Sequence, residues 1–157
     1  MADYDTSPKA IAVTVTPVCD TSAYASGDLI FDATAIANAV RTVGNCTTLK
    51  TVAILDKADQ GVAFTLVFAS AATDFGTLNS APDPDDTEAG TVLGHVAVAA
   101  TDYIDLGASR FASVKNINLD MKAAAASTSL WVACINSTGT PTYGASDLVI
   151  TFYFERA

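Results

Sequence analysis

Apolar and polar residues alternate in short runs along this chain, most cleanly at residues 11–16, 62–68 and 148–154. Successive side chains on a strand point to opposite faces, so a period of two reads as sheet with one face packed inside. Further runs of strand length lie at 47–55, 91–100, 103–106, 111–120 and 130–135. Residues 28–40 open on Leu29-Ile30-Phe31 and continue with Ala33, Ala35, Ala37 and Ala39 in alternation. Alanine favours helix, but the period-two placement and Asn38 assign a long strand. The polar loop 56–61 ends in Gly61 and has the length of a hairpin connection, which predicts that 49–55 pairs with 62–68. Residues 121–127 are Ala-rich and read as a loop or a short helical turn. About eight strands at roughly hairpin spacing give the expected fold class: all-β, an antiparallel β-sandwich, jelly-roll-like.

A length of 157 residues fits one domain. Residues 1–10 are expected to form a flexible N-terminal arm, and 11–157 the single β-sandwich domain. The arm is acidic and then reaches Ser7-Pro8, with no basic or apolar stretch of a secretory signal. No apolar run approaches the ~20 residues of a membrane helix, so no membrane partner is expected. The chain carries 8 Lys and Arg against 17 Asp and Glu, a net charge of −9. Phosphate binding needs clustered cations, so nucleic acid is not an expected partner either. A partner with a basic surface would suit this charge.

Little in the chain resembles catalytic machinery. His95 is the only histidine and has no neighbour in sequence to orient it, so it reads as a surface or subunit-contact residue. No P-loop, nucleophile elbow or dinucleotide fingerprint occurs. Asp102 and Asp105 could be imagined as a paired carboxylate site, but turn and strand-end roles explain both more simply. No catalytic residue and no cofactor is expected. The metal candidates are the acidic loop residues Asp83, Asp85, Asp86 and Glu88, because Ca²⁺ takes six to eight oxygen ligands. Their spacing lacks the EF-hand glycine and terminal glutamate, and a solvated loop is the simpler reading. Three cysteines are present. Cys134 lies in an apolar run and reads as a buried hydrophobe, whereas Cys19 and Cys46 leave a pairing open. Phe152-Tyr153-Phe154 must place aromatics on both faces of the last strand, so one face needs cover from a neighbour.

Three blocks resemble segments of small tailed-bacteriophage structural proteins: residues 52–68 (VAILDKADQGVAFTLVF), 95–107 (HVAVAATDYIDLG) and 139–148 (GTPTYGASDL). They are patterns of strand and turn rather than catalytic signatures. Such proteins are similar to the head decoration, or capsid cement, family. The resemblance implies a β-sandwich that binds the major capsid protein lattice on the outer capsid surface of the virion, often as a homotrimer. It implies synthesis in the bacterial host cytoplasm and no catalytic residues. The alternative is a tail or fibre module that binds a receptor or carbohydrate, with an exposed aromatic–carboxylate patch near Tyr143 and Asp147. A small glycosidase on the same scaffold is the second rival; it would need two inward carboxylates in a cleft.

Overall fold

A computed structural model describes residues 8–157. Residues 1–7, most of the expected arm, lie outside the described residues, and Ala10 is already the first residue of a strand. The strands are β1 (Ala10–Val15), β2 (Leu29–Ile36), β3 (Cys46–Asp56), β4 (Phe64–Ala69), β5 (Val92–Val98), β6 (Tyr103–Asp105), β7 (Arg110–Val114), β8 (Leu119–Lys122), β9 (Leu130–Asn136) and β10 (Leu148–Arg156). One α-helical turn, α1 (Asp86–Ala89), precedes β5. The strands form two antiparallel sheets. Sheet A runs β1-β10-β3-β7-β6, with β8 also pairing β3; sheet B runs β2-β9-β4-β5. The all-β sandwich expected from the alternation is therefore the fold.

Alternation explains the packing. On β10, Leu148, Ile150, Phe152 and Phe154 are buried while the residues between them face outward, with Tyr153 44% exposed. Phe64, Leu66 and Phe68 of β4 oppose them from sheet B. The Phe68 and Phe152 rings meet edge to face across the sandwich at 5.7 Å between centroids. Edge-to-face contact places the positive rim of one ring on the negative face of the other. A second, smaller cluster lies on the outer face of sheet B, where Leu29, Ala69, Phe75 and Ala133 are buried beneath the segment before α1. That segment is held to β2 by Leu29 N–H donating to Ser80 O and Asn79 N–H donating to Leu29 O.

Three local expectations are corrected. The hairpin between 49–55 and 62–68 does not form: β3 belongs to sheet A and β4 to sheet B. The cause is Asp56. Its carboxylate accepts from the N–H groups of Ala58, Gln60 and Gly61, and so winds the chain off the end of β3 and away from sheet A. Asp59 and Gly61 complete the winding at φ 55° and 59°. A Cβ on Gly61 would also sit 2.5 Å from Arg110 Cδ, so no other residue fits there without displacing that arginine. The run 111–120 is two strands rather than one. Asn116 and Asn118 adopt φ 57° and 54°, which breaks the ladder between β7 and β8. Strand β2 stops at Ile36 rather than 40, because Asn38 turns left-handed at φ 56°.

The C-terminal end of β10 is tied in by a buried arginine. Arg156 is 5% exposed, and its guanidinium donates to the carbonyls of Pro8 and Asn38. Arg156 N–H also donates to Lys9 O, so the start and end of the described chain are held together.

Candidate interaction surface

The residues singled out for chemistry are mostly committed to holding the backbone. In the acidic loop, Asp85 caps α1: its Oδ1 accepts from Glu88 N–H at 2.8 Å, and Glu88 Oε2 accepts from Asp85 N–H at 2.8 Å. This reciprocal box satisfies two donors that the helix start leaves free. Asp86 sits in the first turn, and Asp83 lies against Gly76, where a Cβ would clash with the Asp83 carboxylate and the backbone is at φ 120°. Asp74, Asp83 and Glu88 share a polar hollow of about 350 Å³. Among the described residues, no three His, Cys, Asp or Glu side chains are grouped to hold a metal ion.

Other candidates are placed as follows. Asp102 Oδ2 accepts from Ala99 N–H and Asp105 Oδ1 from Gly107 N–H, which are turn roles. His95 is exposed on β5, opposite Val67. Tyr143 is 1% exposed and its ring lies 6.2 Å from that of Tyr24, so it offers no surface platform. Asp147 Oδ2 accepts from Gly144 N–H at 2.6 Å. The exposed Tyr143–Asp147 patch that a glycan-binding module would need is therefore not formed.

All three cysteines are free: Cys19 and Cys134 are buried, and Cys46 is exposed. Burial pushes the Cys19 thiol up to about 12, with Asp147 and Asp56 adding to it. The thiolate is the reactive form, so Cys19 is inert at neutral pH. A thiol reagent is expected to label one cysteine per native chain, Cys46, and all three in denaturant. Prompt labelling of a second site in the native protein would contradict this burial.

What the sequence did not disclose is the outer face of sheet A. Direct pairing places Val149 beside Leu55, Leu55 beside Phe111 and Phe111 beside Ile104. Directly opposed residues share a face, so these four make one apolar row across four strands. The next row, Thr14-Thr151-Ala53-Ser113, is uncharged as well. The apolar row ends at the sheet edge in Ile104, 59% exposed, and two residues further on comes Leu106, 56% exposed. At the opposite edge, a shallow depression of about 520 Å³ is lined by Ile11, Ala12, Tyr153, Lys9 and Lys50, among others. Each of these positions looks ordinary in its own strand; only the register joins them.

No family model matches the chain, and no curated protein sequence matches it. Among solved structures, the chain shows weak similarity to that of infectious bursal disease virus, Gx strain, at 13% identity and a TM-score of 0.34. The match covers 96% of this chain and 37% of the viral one, so this chain spans little more than a third of its length.

Proposed function

We propose that this chain is a non-enzymatic structural protein of a tailed phage. It decorates the outer surface of the icosahedral capsid, binds the major capsid protein lattice as an oligomer, most simply a homotrimer, and stabilises the shell. The observation that carries this reading is the pair of uncharged rows across the outer face of sheet A, a sheet face rather than a cleft. A reacting or ligand-binding site is usually concave, with a few convergent polar groups. Here the polar groups of the candidate sites instead hold turns, a helix cap and a loop. The three sequence blocks that resemble phage structural proteins point the same way. A small contact repeated over many equivalent lattice sites gains strength by multivalency. The edge strand β6, only 3 residues long, suits a protein that must stay soluble before it assembles.

The test is the copy number in purified virions of the phage that encodes the chain, measured by quantitative mass spectrometry against the major capsid protein. A simple integer ratio to capsid subunits is expected. A handful of copies would transfer the protein to the tail, and absence from the particle would remove the structural reading.

A further inference from the structure

The two ends of sheet A are complementary. At one edge, Ile104 and Leu106 form an exposed apolar knob, with the acidic Asp105 between them in the chain and Asp102 two residues before. At the other edge, the depression between β1 and β10 has an apolar floor that includes Ile11, Ala12 and Tyr153. Lys9 and Lys50 stand on its rim. Glu155 is there too, and pairs with Lys50 Nζ at 3.6 Å, so among the described residues Lys9 is the rim charge left without an ion pair. The rim thus has net positive character on a chain of net charge −9. Two like-charged copies repel over most of their surfaces and attract only where such local opposites meet.

We infer that the Ile104–Leu106 knob of one copy seats in the β1–β10 depression of the next, with Asp102 and Asp105 facing Lys9. This deepens the oligomeric part of the proposed function by assigning the contact between copies. The contact joins two different patches, so it is heterologous and must close on itself to give a finite assembly. A two-residue knob buries far less than the ~800 Å² per partner of a standard interface. Closure, in which every copy gives one knob and receives another, supplies the missing stability. β1 and β6 end sheet A at either side, so both halves of the contact are reachable.

The experiment uses the full chain in solution, with mass measured by light scattering after size exclusion. The native protein at about 100 µM is expected to run as a multimer. Ile104→Asp should make it monomeric, and so should Ala12→Glu, which places an acid in the depression. Both positions are exposed, and unchanged far-ultraviolet circular dichroism shows that each variant folds. The deciding step combines Ile104→Asp with Ala12→Lys in one chain. The acid on the knob then meets a base in the depression, every copy again gives and receives a contact, and the multimer is expected to return. A native monomer, an unchanged mass in either single variant, or a double variant that stays monomeric would each overturn the assignment. An unchanged mass for Ala12→Glu alone would hand the depression to another occupant, such as residues 1–7 or a foreign protein. None of these outcomes depends on virions. A multimer built this way but missing from particles would overturn the capsid reading and leave the contact standing.

Discussion

Phe152→Ala is expected to cost about 4 kcal/mol of folding stability, within the range for deleting a large buried aromatic. Phe152 is fully buried on β10, the strand that joins β1 to β3 in sheet A. Its ring meets Phe68 of sheet B edge to face and stacks near Phe154 at 6.3 Å. Truncation removes the transfer energy of the ring and both ring contacts, and opens a cavity that β-ladders on either side prevent from collapsing. Phe152→Leu keeps most of the volume and is expected to cost about 1.5 kcal/mol. Urea unfolding measures both, and the midpoint should fall with little change in slope. Whole-domain stability is only about 5–15 kcal/mol, so the alanine variant stands close to the edge of folding. A loss under about 1 kcal/mol would mean that the two sheets are not held together through this ring.

β10 was legible because nothing interrupts its alternation: Leu148, Ile150, Phe152 and Phe154 fall on one face by count alone. The same rule overran at β2. Ala37 and Ala39 continue the alternation past Ile36, but Asn38 turns left-handed between them, and Ala39 and Val40 are buried in the turn rather than in a strand. Asn116 and Asn118 broke the run from 111 to 120 for the same reason: asparagine tolerates positive φ at low cost, so a pattern of apolar positions does not reveal whether it will be used. The hairpin between β3 and β4 failed on chemistry that lies in a side chain. A polar six-residue loop reads as a hairpin until one carboxylate gathers three of its N–H groups. The acidic loop was visible as a cluster, but the capping box that uses Asp85 and Glu88 depends on α1, a helix of a single turn with no apolar periodicity to announce it. The knob and the depression were not legible at all. Ile104 and Ala12 are ordinary strand residues, and only the order β1-β10-β3-β7-β6 places them at opposite edges of one sheet.

Asp56→Ala carries the other large expected effect, about 4 kcal/mol, because it leaves three N–H donors without an acceptor. A stranded buried donor costs about 1–3 kcal/mol, and the Gly61 bond lies fully inside. Asp56→Asn keeps one acceptor oxygen and should recover roughly half of the loss. The pH dependence separates this group from the other carboxylates. Burial raises the Asp56 carboxyl above its ordinary value; the three N–H donors pull it down by less, and nearby Asp59 adds to the rise. A carboxyl that is raised on folding binds its proton more tightly in the native state than in the unfolded chain. Its contribution to stability is therefore greatest below the unfolded value near ~3.9, and declines as pH rises toward the folded value. The difference in stability between native protein and Asp56→Ala should accordingly be larger at acid pH than at pH 7, since other carboxylates cancel between the two curves. Paired urea titrations across that interval measure it. A difference that grew with pH would mean that the three donors outweigh burial, and that the loop is held by an ionised carboxylate rather than strained by one.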